Sequence, residues 1–136
     1  MGHDHHRGRL VWGLLLATLL MAGLAMSARA QSDCRVEVVE GWHTGAGTAT
    51  IIMRNGGSPC GGTLYTVPKQ KVAVDKMIVV VPPKNGVVVV AVPRFAYTPN
   101  AGFVGEDRFE LSAEGPGRAK GNRLTLSGVV LVRVEP

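Results

Sequence analysis

The pattern of apolar and polar positions changes character once along the chain. Over residues 10–26 the sequence reads LVWGLLLATLLMAGLAM, without a single charge; from residue 35 onward the apolar residues come in short, β-branched groups cut by Gly, Pro and Asn. Groups of the second kind predict strands. RVEVVE (35–40) sets Val36 and Val38 against charges, and GWHTGAG (41–47) follows as a loop. TATIIMR (48–54) is a second strand, stopped by NGGSPCGG, and TLYTV (63–67) a third, ended by Pro68. Residues 72–74 read as a short edge strand, where flanking lysines discourage pairing with other chains.

MIVVV (77–81) and VVVVAV (87–92) flank Pro82-Pro83-Lys84-Asn85-Gly86. An uninterrupted valine run fits a strand covered on both faces, and Asn85-Gly86 offers the positive φ of a hairpin turn. The two runs are therefore expected in the interior of a two-layer structure; exposed, they would be an aggregation hazard. RFELSA (108–113) alternates again, and RLTLSGVVLVRV (123–134) is long, with Gly128 as an expected bulge. Seven to nine short strands at this spacing predict an all-β protein, a β-sandwich. Neither a domain linker nor an internal repeat interrupts it.

The first apolar run calls for a different reading. MGHDHHRGR precedes it with Arg7 and Arg9, and Ala28-Arg29-Ala30 follows it as a small-residue cleavage site. This is the layout of a secretory signal peptide over residues 1–30, with the β domain occupying 31–136. A retained membrane anchor is the alternative, because the run approaches the ~20 residues a spanning helix needs. No cysteine follows Ala30 directly, and Gly8 separates the two arginines, so neither a lipoprotein nor a twin-arginine signal is indicated. The expected location is the periplasm, the cell surface or the medium, with no stable membrane span once the leader is gone.

Removing the leader also changes the charge. With Arg7, Arg9, Arg29 and Asp4 gone, 12 basic and 9 acidic residues remain, a net +3 out of the whole chain's +5. That mild excess does not form the basic stripe of a nucleic-acid binder. His3, His5 and His6 leave as well, so His43 is the last histidine. Cys34 and Cys60 remain, and an even pair in an exported chain predicts a disulfide.

All three phenylalanines lie within FAYTPNAGFVGEDRFEL (95–111), together with Tyr97. Phe95 and Tyr97 alternate around Ala96, Thr98-Pro99-Asn100-Ala101-Gly102 breaks the strand, and Phe103 can fold back beneath the break. Gly105 permits a second bend, and Asp107 stands where a carboxylate can accept hydrogen bonds from loop amides. Phe109 and Leu111 then resume the strand, so the aromatics read as a plug at one end of the sandwich.

The spacing Tyr97-x-Pro99-x-x-x-Phe103-x-Gly105-x-Asp107-x-Phe109 resembles the Y-x-P-x-x-x-F-x-G-x-D-x-F signature of bacterial immunoglobulin-like domains of the cadherin-like type, found in tandem in large surface adhesins. Pro83-Lys84-Asn85-Gly86-Val87 is similar to that family's P-x-x-G-x-V hairpin. The resemblance covers roughly residues 77–135. It implies an immunoglobulin-like β-sandwich and a role in adhesion or other surface contacts. The loop AEGPGRAKGNRL is richer in base and glycine than the family's usual turn.

Several residues invite chemistry. Glu106 and Asp107 resemble an acid/base pair or calcium ligands, but two adjacent carboxylates fall short of the ~6–8 oxygens calcium takes. His43 stands outside any nucleophile motif, and one histidine is too few for a blue-copper site. Residues 115–123 lack the G-K-[ST] ending of a phosphate loop. These readings favour no catalytic residue, metal or cofactor. Two binding surfaces remain. One is a basic finger of Arg118, Lys120 and Arg123 for a protein partner or an anionic envelope polymer. The other is Trp42 with His43, as the loop of a small periplasmic ligand- or metal-binding protein. The expectation is an exported, non-catalytic binding or structural module, contacting its partner by a sheet edge or an end loop.

Overall fold

A computed structural model of the chain describes residues 33–39 and 41–136; residues 1–30, the expected leader, lie outside them. Ten strands carry the described fold. They are β1 (Cys34–Val39), β2 (Gly47–Arg54), β3 (Cys60–Thr63), β4 (Tyr65–Val67), β5 (Val72–Ala73), β6 (Lys76–Val81), β7 (Gly86–Ala91), β8 (Arg94–Pro99), β9 (Gly105–Pro116) and β10 (Arg123–Glu135). The only described helices are single 3-10 turns, Trp42–Thr44 and Pro68–Gln70. The protein is all-β.

Five strands form one sheet in the order β1-β2-β10-β9-β6, three form a second in the order β3-β8-β7, and β4 pairs β5. Every pairing is antiparallel except β2 with β10, which run parallel. Period-2 alternation decides which side chains go inside. β2 buries Ala49, Ile51 and Met53; β9 buries Asp107, Phe109, Leu111 and Ala113; β10 buries Leu126, Val130, Val132 and Val134. From the three-stranded sheet, β8 sends Phe95 and Tyr97 into the same cluster. The Phe109 ring meets Phe95 edge-on at 6.0 Å and stacks with Tyr97 at 6.1 Å, so the two larger sheets share one core. Such ring pairs contribute about 0.5–1.5 kcal/mol each beyond the area they bury. The Cys34–Cys60 disulfide joins β1 of one sheet to β3 of the other, with Cα atoms 5.5 Å apart.

Four expectations about the strands need correction. The count is ten: Cys60-Gly61-Gly62, read as part of a stop, joins Thr63 as β3, and Leu64 separates it from β4. The valine runs do not form a hairpin: β6 takes an edge of the five-stranded sheet and β7 an edge of the three-stranded one, and residues 82–85 cross between them. Nor are the runs interior on both faces. Met77 is buried, and Val79, Val88 and Val90 pack against the core, while Ile78, Val80, Val87 and Val89 are each more than half exposed. Gly86 is not among the positive-φ glycines; a Cβ there would lie 2.5 Å from Cε2 of Tyr97, so this glycine serves close approach.

Gly128 is likewise no bulge. The register runs through it without a shift, opposite Gly47 on one side and Leu111 on the other. A Cβ on Gly128 would sit 2.8 Å from Cα of Gly47, and one on Gly47 would sit 2.8 Å from Cα of Trp42. The pair of glycines lets the parallel strands lie close together beneath the indole ring.

Candidate functional site

The residues of the family-like motif come together at one end of the shared core. β8 runs into Pro99, and the chain turns through residues 100–103, closed by the Phe103 amide donating to the Asn100 carbonyl at 3.0 Å. Gly102 has φ +77° and Gly105 φ +137°, values that favour glycine at both bends. The Asn55 side-chain amide donates to the carbonyls of Asn100 (2.8 Å) and Phe103 (3.0 Å), fixing the turn from the β2–β3 loop. Phe103 is partly buried against the core, as its place beneath the turn requires.

Asp107 is the centre of this corner and is only 8% exposed. It accepts from the amides of Lys84 (3.0 Å), Asn85 (2.8 Å) and Arg108 (2.9 Å) and from the Tyr97 hydroxyl (3.0 Å). A carboxylate offers about four lone-pair positions, and four donors occupy them. Burial is the largest single influence on the carboxyl and pushes its pKa up. The three amides and the tyrosine hydroxyl together outweigh it and hold the group below its ordinary 3.8. Burial and the adjacent Asp107 drive the Tyr97 hydroxyl in the other direction, well above its ordinary 10.0. The pair therefore stands as carboxylate and neutral phenol, with no proton to exchange near neutrality.

Glu106 is not its partner. Strand alternation turns Glu106 to solvent, where it lies 3.8 Å from Arg133. What the carboxylate does here is tie the crossing segment 82–85 to β8 and β9. Among the described residues, no group of three His, Cys, Asp or Glu side chains is arranged to hold a metal ion.

The Trp42–His43 pair does not form one surface. Gly41 (φ +114°) and Gly45 (φ +78°) bracket a 3-10 turn that sends Trp42 inward, to 5% exposure, and leaves His43 in solvent. The Trp42 indole Nε1 is buried without a hydrogen-bond partner. With the leader removed, this is the only tryptophan in the chain. Its emission is expected to be blue-shifted and several-fold less sensitive to acrylamide than that of free tryptophan; quenching at the free rate would mean that the ring is not inside.

The basic segment is a solvated connection between β9 and β10, closed by the Gly117 amide on the Asn122 carbonyl at 2.8 Å. Arg118 and Lys120 are exposed. Arg123 differs from them: its guanidinium grips Asp75 with two bonds, Nη1 to Oδ2 at 2.9 Å and Nη2 to Oδ1 at 2.6 Å. Asp75, held below its ordinary range first by that bidentate contact, lies 48 residues away in sequence and was not a candidate on sequence grounds. Arg123→Ala is expected to leave the urea midpoint almost unchanged, because the pair is solvent-exposed and screened.

The feature that sequence reading missed is the exposed apolar surface. Among the described residues, six of the eight large exposed hydrophobics fall on β6, on β7 or just past the end of β7: Ile78, Val80, Val81, Val87, Val89 and Val92. An open cavity of about 290 Å³ beside the disulfide, lined by Asp33, Met53, Arg54, Ser58 and Pro59, lies elsewhere. Set against known proteins, the chain matches no family model, and no curated protein matches it.

Proposed function

We propose that the chain is an exported, non-catalytic binding or structural module of the immunoglobulin-like sandwich type, acting in protein–protein or cell-envelope contacts. One observation carries the reading. Five exposed aliphatic side chains lie on the two edge strands β6 and β7, whereas the most buried carboxylate is saturated by structural hydrogen bonds. An edge strand with exposed aliphatic side chains is a ready template for pairing with another chain. The leader pattern over residues 1–30 and the inter-sheet disulfide support export. The Tyr97–Phe109 motif and two sheets on a single core support the immunoglobulin-like assignment.

Crosslinking in the envelope of the source cell, followed by mass spectrometry of what the chain captures, tests the function. One dominant macromolecular partner is expected. Recovery of the chain free of any crosslinked partner, at reagent doses that link known envelope complexes, would sink the module reading.

A further inference from the structure

Strand edges expose unpaired amides and carbonyls, and proteins ordinarily guard them with charge, proline, bulges or brevity. Three of the four edges in the two larger sheets are guarded in this way. β1 carries the Arg35–Glu37 pair. β6 begins with Lys76, paired to Glu114, and has a register irregularity between Val79 and Val81. β3 has four residues, two of them glycine, and is tied by its first residue to β1. β7 has none of these guards. It is GVVVVA, six residues in unbroken register with β8 and paired with no strand on its other side among the described residues.

The sheet that β7 belongs to carries charge of one sign only, and the nearby Asp107 carboxylate is turned inward and taken up by the Lys84 and Asn85 amides and the Tyr97 hydroxyl. The strands β3, β7 and β8 and the crossing segment 82–85 contain no acidic residue. Lys84 lies just before one end of β7, and Arg94, opposite Ala91, lies at the other. Both are exposed, and neither takes part in an ion pair among the described residues. The open edge is thus an apolar stretch of about 17 Å, at ~3.4 Å per residue, with a free cation at each end. A second copy of β7 would bring the same cations with it. An antiparallel pairing centred on Val89 would bring the Lys84 end of one copy to the Arg94 end of the other. A bilayer would leave the edge amides unsatisfied.

We infer that the free edge of β7 is a strand-addition site for an extended segment of another protein, rich in β-branched residues and acidic at both ends. The inference rests on the binding-module reading above and names its partner's chemistry. Main-chain bonds to β7 supply the docking, exposed Val87 and Val89 meet alternate side chains of the added strand, and Lys84 and Arg94 select the acidic flanks.

The test uses the chain without its leader and the labelled peptide Asp-Glu-Thr-Val-Thr-Val-Thr-Val-Asp-Glu, read by fluorescence anisotropy at low salt. A lysine-ended counterpart and an acid-ended version with alternate amides N-methylated serve as controls. The acid-ended peptide is expected to bind about fivefold or more tighter than the lysine-ended one. The double variant Lys84→Glu/Arg94→Glu should invert that order, Lys84→Gln/Arg94→Gln should abolish the preference, and N-methylation should abolish binding. Thermal melts confirm that each variant is folded.

No binding of the acid-ended peptide, an unchanged order in the folded Gln variant, or binding that survives N-methylation would overturn the inference. So would a dimer dispersed by Val89→Lys, which would give the edge to a second copy, or Val89-dependent sedimentation with phosphatidylglycerol vesicles, which would give it to lipid. An envelope partner crosslinked through Lys120, with no peptide binding, would overturn the β7 assignment while leaving the module reading in place.

Discussion

Asp107→Ala is expected to cost about 4 kcal/mol of unfolding free energy, the largest effect of any polar substitution in this protein. The variant leaves the Lys84 and Asn85 amides without their acceptor and the Tyr97 hydroxyl with only its longer contact to the Asn85 carbonyl, at 3.3 Å. An orphaned buried donor costs about 1–3 kcal/mol, and the segment 82–85 can recover only part of this by turning toward water. Against a total of about 5–15 kcal/mol for a domain, the variant is near the limit of folding. Asp107→Asn keeps one acceptor oxygen and should lose about half as much. The pH dependence separates charge from shape. Because the folded-state pKa of Asp107 is lowered, its ionisation stabilises the fold at every pH above the unfolded value, near 4. That contribution is lost as pH falls through the folded value. Urea titrations at pH 7 and at pH 2.5 should therefore show the gap between the native protein and Asp107→Asn narrowing in acid. A gap that stayed constant would mean that the carboxylate's charge has no part in holding the corner.

Opening the Cys34–Cys60 disulfide is expected to cost about 3 kcal/mol by the chain-entropy account, given its sequence separation of 26. The bridge links β1 to β3, at the side of the structure where the three-stranded sheet has its shortest strand. Its loss should loosen β1 and β3 before it reaches the aromatic cluster of Phe95, Tyr97 and Phe109. Hydrogen exchange on the Cys34→Ser/Cys60→Ser variant can follow this directly. Amides of β1 and β3 should lose protection by a larger factor than those of β9, and uniform loss would show that the sheets part in a single step.

Much of the corner was legible in the sequence, because its requirements are written in residue type. Pro99 ends a strand, Gly105 takes a conformation that disfavours side chains, and Tyr97 and Phe109 fall on inward positions. The partners of Asp107 were legible only as a kind. Amides look alike in every residue, so nothing in the sequence marked Lys84 and Asn85 as the donors. The valine runs defeated face assignment for another reason. A run of one apolar residue type has no contrast between odd and even positions, so burial of alternate members leaves no trace in the pattern. The same absence of contrast concealed which sheet each run belongs to. The inward place of Trp42 leaves no local mark, because turn sequences are ordinarily exposed and the space for its ring comes from the absent side chain of Gly47. The Asp75–Arg123 pair spans two segments that no local spacing connects.

The parallel pairing of β2 with β10 also sets an order in time. Of the five strands of the larger sheet, β10 comes last in chain order, and it enters at the middle, between β2 and β9, not at a rim. Until β10 leaves the ribosome, the β1–β2 hairpin and the β6–β9 pair are separate pieces of the larger sheet with no hydrogen bonds between them. Long-range pairings of this sort assemble slowly, in milliseconds to seconds. A domain whose larger sheet stays open until β10 has been made is still, up to that point, a chain that can pass extended through a narrow pore.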